Sequence, residues 1–213
     1  MKIELENVRP MDIERRSFEI ISQELALMGK TLKKGTEPVV KRCIHTSADF
    51  DYADSLYFSD GAVEKALEAI RGGADIVTDT QMARSGINKR SLAKFGGEVL
   101  CFMSDEDVAA RAREQGSTRA TVCMDKAAGL ERDLIFAIGN APTALIRLRE
   151  LIDDGFVPKL IIGVPVGFVN VVQSKELIME TDVPCIIARG RKGGSNIAAC
   201  ICNALLYMLD LER

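Results

Sequence analysis

The sequence predicts an α/β fold, a three-layer α/β/α sandwich with a mostly parallel sheet of the flavodoxin-like kind. Short apolar and β-branched runs alternate with longer helical patterns along the 213 residues. Runs such as 134–138 are apolar on both faces, which is typical of parallel strands covered by helices on both sides. Because a chain of this length with 47% apolar residues can bury about 70% of its unfolded surface, one domain over residues 1–213 is expected.

Breakers and caps place the elements in order. Asp12 is a good N-cap for a helix that Gly29 ends, Ser104 and Ser174 are expected to cap two later helices, and Pro142 lies just inside another. Strands are predicted at 56–58, 74–78, 98–102, 134–138, 159–164 and 184–188. Helices are predicted at 12–28, around 39–45, 61–71, 88–95, after 104, 118–130, 142–152, 174–179 and 195–209.

Composition excludes several classes of protein. The formal net charge is −3 with 28% charged residues, so neither nucleic acid nor an anionic membrane is an expected partner. No stretch approaches the ~20 apolar residues that span a bilayer, and the acidic start is unlike a signal peptide. The six cysteines contain no C-x-x-C pair and accompany a single histidine, which argues against zinc. Reduced, mostly buried thiols of a cytoplasmic protein are expected.

Ligands of such sheets bind beyond the carboxyl ends of the strands, and four of these ends are rich in polar residues or glycine. They are residues 78–80, 139–143, 163–168 and 189–195. The last, hereafter the basic loop, carries Arg189, Arg191 and Lys192 before two glycines and a helix start, a combination suited to a carboxylate or phosphate. A solvated glycine-rich turn is the alternative.

Nucleotide, metal and hydrolase motifs are weak or missing. The phosphate-loop ending at Gly29 has Glu24 where glycine is required, and no G-x-G-x-x-G follows a strand. Asp79, between Thr78 and Thr80, could seat magnesium but has no acidic companions. No G-x-S-x-G elbow is present, which argues against a hydrolase triad.

His45 is the sole histidine, and the apolar spacing around it predicts a helix on which Arg42 lies one turn away. Histidine exchanges protons near neutral pH, and a neighbouring cation favours its neutral form. The alternative is a histidine that merely ends a short helix. Ser17 shares an apolar stripe and therefore faces inward or toward a partner, unless it only bonds back to a carbonyl one turn earlier.

Together these segments resemble the precorrin-8 methylmutase family of corrin-ring biosynthesis, over nearly the whole chain. The blocks that carry the resemblance are Arg16-Ser17-Phe18, Arg42-x-x-His45, Phe58-Ser59, Gly73 to Thr80 with Met82, Ala137 to Leu145, Pro165 to Val169, Ser174-Lys175-Glu176 and Arg189 to Ser195. The last three blocks are specific in order and spacing.

The resemblance implies an isomerase that moves a methyl group from C11 to C12 of the macrocycle and needs no cofactor. It assigns His45 as proton donor and acceptor, with Ser17 and Arg42 contacting the substrate. Because the corrinoid substrate bears many carboxylates, Arg119 and Arg191 are further candidates for binding it. The rival function is a non-enzymatic tetrapyrrole-binding carrier, which has no need for His45.

The resemblance also implies a homodimer with its site near the subunit interface. Apolar stripes on the helices at 12–28 and 195–209 leave surface for a partner, and Ala198, Ala199 and Ala204 permit close helix contact. The stripes fit the core of a monomer equally well. The sequence leaves open whether the substrate holds cobalt, which basic residue meets which carboxylate, and whether both subunits share one site.

Overall fold

The computed structural model describes residues 5–210. Its sheet has six strands in the order β1-β6-β5-β4-β2-β3, and only β1 runs antiparallel to its neighbour. The five parallel strands, counted along the chain, therefore follow the order 2-1-3-4-5, which is the flavodoxin-like order. The strands are β1 (Leu56–Phe58), β2 (Asp75–Thr78), β3 (Val99–Leu100), β4 (Leu134–Ile138), β5 (Leu160–Gly163) and β6 (Cys185–Ala188).

Helices cover both faces of the sheet, as predicted. One layer contains α1 (Ile13–Leu27), α2 (Glu37–Ser47), α4 (Ala62–Arg71), α5 (Gln81–Gly86), α6 (Lys89–Ala93) and α11 (Ser195–Leu209), and α3 (Tyr52–Ser55) packs beside α2. The opposite layer contains α7 (Glu106–Glu114), α8 (Arg119–Ala128), α9 (Pro142–Asp153) and α10 (Val171–Met179).

The central strand β4 separates two apolar cores. Leu134, Phe136 and Ile138 face one core, and Ile135 and Ala137 face the other. All five are at most 2% exposed, because successive side chains of a strand point to opposite faces and both faces are covered. The apolar runs of the sequence thus have the structural cause that was inferred from them.

Two predicted helix caps are wrong. The cap of α7 is Asp105 rather than Ser104. The hydroxyl of Ser104 instead accepts a hydrogen bond from the side chain of Gln81. Ser174 lies inside α10, where its hydroxyl donates to the carbonyl of Val171, because this helix already begins after Asn170 in the left-handed conformation. Serine is favoured at helix starts because its hydroxyl can bond to nearby backbone N–H groups, which is why both were predicted as caps. In the structure both hydroxyls have other partners, and the two helices begin after other residues.

The apolar stripe of α11 is used inside the chain. Ala198, Ala199 and Ala204 are at most 5% exposed, and α11 packs against α2, α4 and α5. These three alanines therefore belong to the core, which matches the core alternative. Cys43 of α2 lies with its sulfur 4.0 Å from that of Cys200, and both are free thiols. Within residues 5–210, each helix is too short or too polar to cross a bilayer.

Candidate active site

The order of the strands reverses between β2 and β4, and Asp79 lies at this point directly after β2. Its carboxylate accepts hydrogen bonds from the backbone N–H groups of Gly139, Asn140 and Ala141 at 2.9, 2.8 and 2.7 Å. Burial raises the pKa of Asp79, and the three N–H groups act in the opposite direction. Its oxygens therefore fix the turn between β4 and α9 instead of facing a ligand.

Contacts at the carboxyl ends of the strands also join the start of α11 to the sheet. Thr80 caps α5 by accepting from the N–H of Ala83, and its hydroxyl lies 2.8 Å from that of Ser195. A side chain at Gly139 would lie 2.6 Å from the α-carbon of Ser195, so glycine is needed for this close approach. The ends of β2 and β4 are thereby held against the start of α11.

The basic loop lies between β6 and α11 with its guanidinium groups in solvent. Arg189 stacks over the ring of Tyr57 at 4.8 Å, and Arg191 stacks over Phe168 at 5.2 Å. Both arginines are exposed, and the salt bridges of residues 5–210 include neither of them. No carboxylate of the described residues therefore neutralises either cation, and binding of an anion by the loop stays a prediction.

Glycine is required at the base of the basic loop. Gly193 has a φ of +154°, and a side chain there would lie 2.0 Å from the carbonyl oxygen of Val164. The neighbouring Gly194 N–H donates to the same oxygen at 2.8 Å. The loop therefore lies directly on the end of β5.

Lys175 supports the basic loop from beneath. It lies on α10 and is only 1% exposed, and its ammonium donates to the carbonyls of Gly190 at 2.8 Å and Lys192 at 3.0 Å. Burial lowers its pKa to about 8. The functional residues inferred from the sequence do not include Lys175. An isolated lysine is expected to be exposed, so the residue type alone does not suggest a role inside the protein. The signal that could have identified it was its place in the Ser174-Lys175-Glu176 block.

His45 lies in the last turn of α2, and the segment that follows this helix contacts the basic loop. The helix ends at Ala48 in the left-handed conformation, and Asp49 just beyond accepts a 2.6 Å hydrogen bond from the ammonium of Lys192. His45 is exposed, and its ring lies 5.3 Å from that of Phe18, centroid to centroid, at an angle of 42°. The helix predicted around it and the one-turn spacing to Arg42 are confirmed.

Arg42 is already engaged within the chain. Its guanidinium forms an ion pair with Glu14 and lies over the rings of Phe18 and Tyr207, at 4.9 and 5.2 Å from their centroids. Its side chain is 14% exposed. A groove of about 380 Å³ between α1, α2 and α11 is bordered by Phe18, Arg42 and Tyr207. Arg42 can therefore meet a ligand along this groove.

Ser17 and Arg119 occupy less direct positions. The hydroxyl of Ser17 donates to the carbonyl of Ile13 at 2.9 Å, which is the back-bonded alternative considered for it. Arg119 is the exposed first residue of α8 and donates to the carbonyl of Met103 at 3.3 Å. Because α8 covers the opposite face of the sheet from α2, Arg119 and His45 lie in different layers.

Comparison with known proteins gives one consistent result. The family model described as precorrin-8X methylmutase matches residues 12–208. A cobalt-precorrin-8 methylmutase of Salmonella typhimurium is 47% identical, with 94% of this chain and 96% of the relative covered. A precorrin-8X methylmutase of Pseudomonas aeruginosa is 39% identical, with 91% and 93% covered. A crystal structure of the precorrin-8X methylmutase from Thermus thermophilus superposes with a TM-score of 0.84 at 40% identity, covering 92% of this chain and 96% of the other.

Proposed function

Because this chain belongs to the precorrin-8X methylmutase family, it is an isomerase of cobalamin biosynthesis, and we propose that it moves one methyl group of precorrin-8 from C11 to C12. One structural observation supports the proposal best. Lys192 of the basic loop forms a hydrogen bond with Asp49, just beyond the helix that carries His45. The proposed proton-transfer group and the proposed anion-binding loop are therefore linked at the carboxyl ends of the strands.

His45 is the general acid and base of this proposal. A methyl shift around a conjugated ring needs a proton placed on or taken from the ring system, together with a fixed geometry. His45 is exposed, so its imidazole can reach a bound macrocycle, and Phe18 supports one side of the ring.

The basic loop holds substrate carboxylates, with Arg191 as the principal contact. Arg191 is exposed, is stacked on Phe168, and forms no salt bridge with a carboxylate of the described chain. Guanidinium groups bind carboxylates with two parallel hydrogen bonds. Arg119, across the sheet, is assigned to a carboxylate on another side of the macrocycle.

Ser17 and Arg42 are assigned to the same ligand from α1 and α2. Each already has a partner within the chain: Ser17 donates to the carbonyl of Ile13, and Arg42 pairs with the carboxylate of Glu14. A substrate carboxylate can replace Glu14 at Arg42, because both present the same charge and geometry.

The proposed assembly is a cytoplasmic homodimer with the site near the subunit interface. The support lies near the start of α1, where Met11 is 95% and Ile13 is 54% exposed, and where Met11 and Phe18 line a second groove along this helix. Apolar side chains this exposed suit a protein contact. Light scattering at micromolar concentration tests this assembly, and a fully active monomer would refute it.

The substrate of this proposal contains cobalt. The relatives at 47%, 43% and 42% identity are named for cobalt-precorrin-8, and that at 39% for precorrin-8X. Anaerobic assays of the purified protein with each form of precorrin-8 test this choice, with the corrin chromophore as the readout. Faster turnover of the metal-free form would reverse it.

The rival function is a tetrapyrrole-binding carrier. The same assays separate the two functions, because a carrier binds the macrocycle without changing its spectrum to that of the corrin. Binding without turnover of either form would favour the carrier and refute the isomerase.

A further inference from the structure

Lys175 is a buried cation beneath a loop that is itself basic. It is 1% exposed, and the two hydrogen bonds of its ammonium go to the backbone carbonyls of Gly190 and Lys192. No carboxylate of residues 5–210 forms a salt bridge with it, and burial alone accounts for its lowered pKa. Burying an ammonium without a carboxylate costs several kcal/mol, so an apolar side chain would fill this position at lower cost.

The contacts of Lys175 set the direction of the loop's carbonyl groups. Gly190 and Lys192 direct their carbonyl oxygens inward to the ammonium, and Arg191 directs its own to the N–H of Gly167 at 3.2 Å. Three consecutive carbonyls of the loop are therefore satisfied within the protein. Carbonyl oxygens carry partial negative charge, so one facing outward would repel a substrate carboxylate.

We propose that Lys175 is a positioning residue, whose buried ammonium holds the carbonyls of Gly190 and Lys192 inward so that Arg191 presents its guanidinium to a substrate carboxylate. Lys175 acts through the loop and does not touch the substrate. The positive charge beneath the loop also adds to the attraction of a polycarboxylate, because a low-dielectric interior screens it weakly. This inference rests on the proposed function, in which the basic loop binds carboxylates of precorrin-8.

The test separates binding from chemistry with kcat and KM for cobalt-precorrin-8. Lys175→Met should raise KM by about tenfold and change kcat by less than about threefold, since a displaced loop weakens binding while His45 stays in place. Lys175→Gln keeps two N–H donors without the charge, and should give an intermediate KM. It also serves if the Met variant fails to fold.

Two controls identify positioning as the cause. Ser174→Ala alters the adjacent buried polar residue, whose hydrogen bond stays within α10, and should leave KM unchanged. In an Arg191→Ala background, Lys175→Met should raise KM by less than about threefold, because the group it positions is gone.

The outcomes are distinguishable. A wild-type protein that turns over neither form of precorrin-8 refutes the proposed function itself. An active wild type with unchanged KM in both Lys175 variants refutes only the role of Lys175. Equal effects of Lys175→Met with and without Arg191 would also overturn it, since they would show a general loss of structure.

Discussion

The ammonium of Lys192 lies 2.6 Å from the carboxylate of Asp49, which joins the basic loop to the end of α2. Asp51 accepts a second hydrogen bond from the same ammonium at 2.5 Å. The contact with Lys192 lowers the pKa of Asp49, and the two aspartates raise that of Lys192. The loop that is proposed to hold the substrate is therefore tied to the helix that carries His45.

The double variant Asp49→Asn/Asp51→Asn tests this tie. It should lower kcat by roughly three- to tenfold, because the bound substrate and His45 lose their fixed relation, while KM stays level or falls as Lys192 is released. Stability should change by less than about 1 kcal/mol, since exposed ion pairs contribute little. Steady-state kinetics and urea unfolding measure both quantities.

The matched control is Asp153→Asn, which removes an exposed aspartate paired with Arg149 at the end of α9. It should leave kcat unchanged. An unaltered kcat in the double variant would mean that the ion pairs are dispensable for catalysis.

His45→Ala should lose the methyl shift by roughly 10²-fold or more. Because His45 is exposed, the variant should fold with a stability within about 0.5 kcal/mol of the wild type. Its corrinoid affinity should persist, as measured by spectroscopic titration. Near-normal turnover would remove His45 from the mechanism.

Arg191→Ala should weaken corrinoid binding by about tenfold, which corresponds to one charge-assisted hydrogen-bonded contact. Its affinity should also depend less on salt, because one cation–carboxylate attraction is missing. Titrations at several salt concentrations measure both effects. Arg113→Ala, on an exposed part of α7, is the control, and equal behaviour of the two variants would assign the loop a structural role only.

The sequence was sufficient to predict the strands of the sheet and the polar residues at their carboxyl ends. Strands such as 134–138 were recognisable because both their faces are apolar, and the polar carboxyl ends followed from the order of strands and helices. The direction of β1 was beyond local pattern, because three residues show no periodicity that distinguishes parallel from antiparallel pairing.

The internal contacts of the site could not be predicted in this way. Lys175 is buried because carbonyls 15 and 17 residues further along the chain converge on its ammonium. Similarly, Arg42 meets Glu14 from a different helix, 28 residues earlier in the chain. Such contacts depend on how the elements pack, so they cannot be predicted from the immediate sequence neighbours of either residue.

Two glycines of the basic loop allow the cost of a left-handed backbone conformation to be compared with the cost of a steric clash. Gly193→Ala should destabilise the protein by about 2 kcal/mol or more, because its new side chain would meet the carbonyl of Val164 at 2.0 Å. Gly190→Ala should cost only about 1 kcal/mol, since Gly190 has a φ of +73° but open space around it. Urea unfolding of both variants checks the order, and equal losses would contradict the close approach of the loop to β5.

The pH dependence of stability should reveal the burial of Lys175. Its pKa is about 8 in the folded protein and 10.5 when unperturbed, so between these values the unfolded chain binds a proton that the folded protein lacks. The wild type should therefore gain stability relative to Lys175→Met as pH rises from 8, by up to about 3 kcal/mol, and the difference should be constant below pH 8. Taking this difference is essential, because burial raises the pKa of Cys123 to about 12, and a raised thiol pKa lowers stability over the same alkaline range in both proteins. Urea unfolding of the two proteins under reducing conditions, from pH 7 to 10, measures the effect. A difference that stays flat across this range would show that Lys175 titrates as an ordinary exposed lysine.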